Sequence, residues 1–191
     1  MAEMKTDELI RVVAKRLFAQ YGYEGFSIRT LAKESGVGIS SIYHFFKDKD
    51  VVLRDIYAAT NRQLGIAREK LPEQPSAEKM LEQLIYFQFE HIEDIVYVLK
   101  YYLHFRQDFA KLPTRTLPPK SVLHVEEVIQ KGVETGEFSV APNDMPAKAK
   151  VIGHTINGYL LEYFPDVPNR QELQEITHAI VSFTKTGLRS A

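Results

Sequence analysis

Between Gly38 and Lys49 the chain strings together groups suited to touching a nucleic acid. Gly38, Ser40 and Ser41 are small enough to let a backbone approach base edges. Ile39 can meet a thymine methyl, and the two hydroxyls can bond to base edges or phosphates. Tyr43 and His44 can bond to phosphate oxygens, while Lys47 and Lys49 bring point charges, Lys49 at a helix start that itself attracts anions. Upstream, Ser27 can cap a helix and offer a phosphate contact, and Arg29 or Thr30 can reach into a groove.

A second group of residues suits a small molecule. The middle of the chain is rich in aromatics, with polar groups interleaved, the make-up of a ligand cavity. Tyr97, Tyr101 and His104 recur at helical spacing on one face, and with Phe87, His124 and Asn157 they are the candidate lining of a pocket for a mostly apolar or aromatic molecule. Each aromatic also suits an ordinary core.

Other chemistry finds no residues. The chain has no Cys, which removes disulfides, thiolate zinc sites, cysteine nucleophiles and thiol redox sensing. His91 with Asp94, or Glu90 with Asp94, could present two metal ligands on one helix face, but no third is identifiable. There is no Gly-rich phosphate loop, G-x-S-x-G elbow or H-E-x-x-H motif. Neither an enzyme, a cofactor nor a metal is expected.

The elements that must position these groups are helices. Leu9, Ile10, Val13, Ala14, Leu17, Phe18 and Tyr21 fall along one helical face, with Thr6 read as the cap and Gly22 as the left-handed stop. Ser27 opens a short helix that Gly36 ends. After a tight turn a second short helix carries Ile39 to Phe46, with Val37, Ile42, Phe45 and Phe46 read as its core contacts. Asp48 then caps a longer helix to about residue 65. Two short helices joined by a Gly turn are a helix-turn-helix signature. All nine Pro lie at or beyond Pro72. They punctuate a helical region that Ser76 can cap, with two largely buried helices from Met80 to Phe109, a loop at Pro113, Pro118 and Pro119, a helix from about Ser121 to Glu134, and two last helices, about Pro146 to Phe164 and Arg170 to Arg189. No strand pattern is convincing. The predicted fold is all-α: a three-helix N-terminal helix-turn-helix domain, residues 1–50, and a larger helical bundle, residues 51–191, about nine helices in all, with the helix from 48 to 65 linking the two.

The unbroken stretch from Phe26 to Leu53 resembles the DNA-binding domain of the tetracycline-repressor (TetR) family of transcriptional regulators. The resemblance lies in Ser27, Leu31-Ala32, Gly36-Val37, the Tyr43-His44-Phe45-Phe46 block and Lys49, with Leu17-Phe18, Tyr21-Gly22-Tyr23 and Phe26 upstream. It covers about the first 55 residues, and the turn Gly132 to Phe138 is a fainter echo. Two positions depart from the family's wording: Gly38 stands where a Ser or Thr caps the recognition helix, and Ser40 where a small residue, often Gly, is found. The resemblance implies a homodimer that binds a palindromic operator in double-stranded DNA as a repressor and is released by a small effector; a cytoplasmic location is expected because the opening residues, Met1 to Glu8, carry no apolar signal core. The resemblance also implies that the last two helices pair with a second copy through Val151, Ile152, Ile156, Tyr159, Leu160, Leu161, Ile176, Ala179, Ile180 and Phe183, with Gly153 and Gly158 small enough to allow close helix approach. The competing reading is an all-α small-molecule-binding protein or enzyme whose helix-turn-helix does not touch DNA.

The charge balance agrees with a DNA partner once it is resolved along the chain. The formal net charge is -1. Residues 1–71 hold 12 Lys+Arg against 9 Asp+Glu, net +3, and residues 72–191 hold 12 against 16, net -4. The longest stretch free of charged residues, Ser35 to Phe46, has 12 residues, far short of the roughly 20 a membrane helix needs. No membrane partner is expected.

Overall fold

A computed structural model describes residues 5–109 and 121–188, and among these it contains nine α-helices and no strand. They are α1 (Thr6–Gly25), α2 (Ile28–Ser35), α3 (Ile39–Phe45), α4 (Lys49–Glu69), α5 (Ala77–Glu90), α6 (Ile92–Phe109), α7 (Ser121–Glu134), α8 (Met145–Tyr163) and α9 (Arg170–Leu188). The loop read at Pro113, Pro118 and Pro119, and the helix end read at Arg189, lie outside the described residues.

Local chemistry sets most of these boundaries. Ser27 caps α2 by accepting a hydrogen bond from the Thr30 N–H at 3.1 Å, and Gly36 ends it with φ of 69°. Only glycine adopts that left-handed conformation without strain. Asp48 accepts from the Val51 N–H at 2.9 Å, and Ser76 from the Lys79 N–H at 3.2 Å, to open α4 and α5. Both ends of α1 differ from expectation, and α4 runs on to Glu69 rather than ending at about residue 65. Thr6 is already helical, and Lys5 stands at the cap position with no side-chain bond. Gly22 does take a positive φ, 68°, but as a kink: one more turn runs on to Gly25 before Phe26 leaves the helix.

The chain forms two compact units, one of residues 1–67 and 93–118, the other of residues 68–92 and 119–191. This division differs from the expected one at residue 50, because α4 up to Ala67 and α6 from Glu93 fold with the N-terminal helices. In the first unit α1, α2 and α3 pack on one another around Phe18, Phe26, Leu31 and Ile42. Helix α6 is held there by contacts distant in sequence. The Tyr97 hydroxyl donates to the Leu53 carbonyl at 2.5 Å, and its ring meets Phe18 edge-on at 5.2 Å. Lys15 pairs with Asp94, and Lys100 donates to the Ala19 carbonyl.

The second unit is a bundle of α5, α7, α8 and α9 around Leu81, Ile85, Phe89, Ile129, Ile156 and Leu160. Its turn after α7 closes tightly. The Phe138 N–H donates to the Gly132 carbonyl at 2.9 Å, and Glu137 reaches back to cap α5, accepting from the Ala77 N–H at 3.0 Å and the Glu78 N–H at 3.3 Å. Thr135 adds a hydroxyl bond to the same carboxylate at 2.7 Å. Burial opposes ionisation of Glu137, but these bonds outweigh it and lower its pKa.

Candidate nucleic-acid interface

Helix α3 is anchored from one side only. Ile42 is fully buried and Phe46, one turn on, nearly so. An interval of four residues puts both on the inward face and turns the intervening residues outward. Gly38, Ser40, Ser41 and His44 are exposed, as are Ile39 at 43% and Tyr43 at 53%. Phe45 was expected in the core with Ile42 and Phe46, but it is 46% exposed. As the last residue of α3 it lies at the rim, edge-on to His44 at 5.3 Å. Val37, also expected inside, is half-buried.

The exposed face is therefore neutral and small at its centre, and apolar and aromatic toward its end. Gly38 holds the cap position of α3 without a side-chain bond, so its contribution to any contact is steric access and its own N–H. On α2, Ser27 and Thr30 are half-buried with their hydroxyls 2.9 Å apart, and Arg29 is exposed. Two of the expected phosphate ligands thus already satisfy each other.

The cations differ sharply in their freedom. Arg29, Lys33 and Lys47 are exposed and have no ion-pair partner among the described residues. Arg11 instead bonds Asp7 at 2.5 Å and Asp55 at 2.7 Å, which raises its pKa and lowers that of Asp7. Lys49 is only half-exposed. Its Nζ lies 3.7 Å from the centre of the Tyr23 ring and donates to the Tyr23 carbonyl at 3.4 Å. The Tyr23 hydroxyl donates to Asp50 at 2.7 Å, and that bond, with burial, pushes its pKa up to about 12. The ring of His104 stacks on Tyr23 at 3.9 Å. Nothing in the sequence signals this cluster, whose members are far apart in the chain.

The six candidate effector residues fall in both units. Tyr97, Tyr101 and His104 belong to the first. Tyr97 is fully buried with its hydroxyl bonded, Tyr101 is buried and stacked on Tyr57 at 4.4 Å, and His104 is exposed against Tyr23. Burial raises the pKa of both tyrosines. Phe87, His124 and Asn157 belong to the second unit. Phe87 is buried against His91, with ring centres 4.6 Å apart, and Asn157 is buried on α8. His124 lines a cleft of about 350 Å³ whose apolar wall includes Leu71, Met80, Leu84 and Val128. Arg68, bonded to Glu127, stands at the same cleft. The sequence did not single out these lining residues other than His124, because they come from three separate stretches of chain.

No group of three or more metal-ligating side chains occurs among the described residues, and no helix there is long and apolar enough to cross a membrane.

Residues 10–56 match the sequence model of the family described as bacterial regulatory proteins, tetR family. Among solved structures, the chain is similar to the TetR family transcriptional regulator PfmR from Thermus thermophilus, with 24% identity over 95% of this chain and 99% of that one and a TM-score of 0.67. It is also similar to the transcriptional regulator FadR from Bacillus subtilis, solved in complex with stearoyl-CoA: 20% identity, 95% and 98% coverage, TM-score 0.66. A member of the TetR transcriptional regulator family from Streptomyces coelicolor matches at 21% identity, 100% and 96% coverage and a TM-score of 0.63. At these identities the likeness concerns the fold. No curated protein sequence matches the chain.

Proposed function

We propose that this chain, whose residues 10–56 match the model of the tetR family of bacterial regulatory proteins, is a ligand-responsive repressor that binds a palindromic operator as a homodimer. The observation that carries the reading is the outward face of α3. Gly38, Ile39, Ser40 and Ser41 form a small, exposed surface that a major groove can accept, and Tyr43, His44 and the unpaired Lys47 stand where the flanking phosphates would run. Arg29 on α2 adds an exposed charge, and Ser27 and Thr30 would reach phosphate only by giving up part of their mutual bond.

A second copy would pack on α8 and α9. Of the apolar residues read as an interface, Ile152, Ile156, Leu160, Ile176 and Ile180 are buried within the unit's own core, whereas Val151, Leu161 and Phe183 are 55%, 40% and 59% exposed. Exposed apolar side chains on both helices suit a two-fold helical interface. Gly158, exposed and with open space at its missing Cβ, would let the copies approach closely.

The effector would bind the second unit and shift the spacing of the two recognition helices. Half-sites lie roughly 34–36 Å apart, so a displacement of a few Å misaligns one helix with its groove. The shift can be no larger than the ligand's differential affinity for the two states, typically about 1–3 kcal/mol of coupling.

The test is a gel shift on the DNA flanking the protein's own gene, titrated with salt. A sequence-selective complex that weakens steeply between about 50 and 200 mM salt is expected, with Tyr43→Ala and Lys47→Ala both impaired. No selective shift, or variants that bind like the parent, would defeat the reading.

A further inference from the structure

The core of the second unit contains polar atoms with nothing to bond to. Gln88 on α5, Asn157 on α8 and Thr177 on α9 are 3%, 9% and 4% exposed, and the Gln88 Oε1, Asn157 Oδ1 and Thr177 Oγ1 atoms have no hydrogen-bond partner among the described residues. Each such orphan costs about 1–3 kcal/mol if nothing satisfies it, and native interiors contain few of them.

The three stand at one level of the bundle. Lys185 on α9 pairs with Glu78 on α5 at 2.6 Å, which fixes the register of two mutually packed helices. Counting ten residues forward from Glu78 reaches Gln88, and counting eight back from Lys185 reaches Thr177. Lys148 on α8 donates to the Gly187 carbonyl of α9 at 2.7 Å. Nine residues forward from Lys148 is Asn157, and ten back from Gly187 is Thr177. With a rise of about 1.5 Å per residue, both counts agree to within roughly 3 Å. Helices α5, α8 and α9 all pack on one another, so the counts set three unsatisfied groups from three helices at about the same height. Thr184, a further orphan two turns along α9, lies at another level.

We propose that Gln88, Asn157 and Thr177 form the polar end of the effector site and hold an uncharged, hydrogen-bond-donating head group, such as an alcohol or a primary amide, on a mostly apolar molecule. The inference rests on the effector reading above and names the chemistry of that ligand. Two amide oxygens accept and the threonine hydroxyl can do either, so the head group must donate. No Lys, Arg, His, Asp or Glu is among the buried side chains of the described residues, so a carboxylate or phosphate would be desolvated there without a counter-ion, which is strongly unfavourable. The tail would lie toward the cleft of about 350 Å³, a volume in the range of small-ligand pockets: Leu84, which lines it, stands one helical turn before Gln88 on the same face of α5.

The test uses the full chain and three ten-carbon probes, 1-decanol, decanamide and decanoate, by titration calorimetry. The alcohol and the amide are expected to bind at least about tenfold more tightly than the carboxylate. Thr177→Val and Asn157→Leu should each weaken the neutral probes by up to about tenfold, the loss of one buried hydrogen bond. Thr177→Val should also raise the Tm of the free protein, because a shape-matched apolar group replaces an orphan. Decanoate binding as tightly as decanol, no binding by any probe, or variants that bind decanol like the parent would overturn the proposal. Operator binding by the parent in the same preparation separates this failure from failure of the repressor reading: a parent that shifts no DNA defeats the broader reading instead.

Discussion

Lys47→Ala isolates the electrostatic part of operator binding. Lys47 is exposed, lies between α3 and α4, and has no ion-pair partner among the described residues, so truncating it removes a charge without breaking an internal contact. If it neutralises one phosphate, a dimer loses two such contacts, and the slope of log affinity against log salt falls by about 1.8. Between about 50 and 200 mM salt, log salt rises by about 0.6, so the parent should lose roughly tenfold more affinity than the variant over that range. Fluorescence anisotropy on a labelled operator at four salt concentrations measures both slopes. Arg11→Ala is the control: Arg11 is held by Asp7 and Asp55, and its removal should leave the slope unchanged. A Lys47→Ala slope equal to the parent's would show that Lys47 touches no phosphate and that the outward face of α3 is oriented some other way.

Other residues give tests of the scaffold. Gly132→Ala would place a Cβ 2.0 Å from the Phe138 ring, and since overpacking typically costs about 1–3 kcal/mol, a lower urea midpoint is expected, relieved in part by adding Phe138→Leu. Ser27→Ala removes the cap on the Thr30 N–H and should lower unfolding free energy by about 1 kcal/mol, with Ser27→Gly recovering most of it. Glu137 has a lowered pKa in the folded state, so its contribution is present above its unfolded pKa and is lost as pH falls through the folded one. Urea denaturation should therefore find Glu137→Gln less stable than the parent near neutrality and equal to it in acid. Tyr23 has a raised pKa, about 12, so its bond to Asp50 stabilises the fold below about pH 10 and is lost as pH rises through about 12. Tyr23→Phe should be less stable than the parent at neutral pH, with the gap closing in strong alkali.

What the sequence made legible was local. The caps at Ser27, Asp48 and Ser76 and the stop at Gly36 each depend on residues within one turn, so type and spacing suffice to place α2, α3, α4 and α5. Phe45 misled because apolar spacing over a helix of one surviving anchor, Ile42, cannot decide which of two adjacent phenylalanines turns inward. The rest was set by contacts that spacing cannot encode. Tyr97 reaches Leu53 across 44 residues, and Glu137 reaches Ala77 across 60. The first draws α6 into the unit that holds α3, and the second clamps the start of α5. In the same way Asn157 could be named from the sequence as a polar group among apolar ones, but the level it shares with Gln88 and Thr177 appears only once the helix registers are fixed.

The structure also changes what the net charge of +3 over residues 1–71 means. Arg11 is held by Asp7 and Asp55, Lys15 by Asp94, Arg16 lies 3.8 Å from Glu34, and Lys49 is drawn onto Tyr23. Around α2 and α3 the cations left without partners among the described residues are Arg29, Lys33 and Lys47. Each internal pair must be broken before its cation can release a counterion from DNA, and each of the three free ones need not be. Non-specific affinity, which grows with the number of phosphates neutralised, is therefore limited to a few contacts per protomer. Discrimination then falls to Gly38, Ile39, Ser40 and Ser41, whose neutral side chains gain little from a phosphate backbone and gain most from base edges of the right shape.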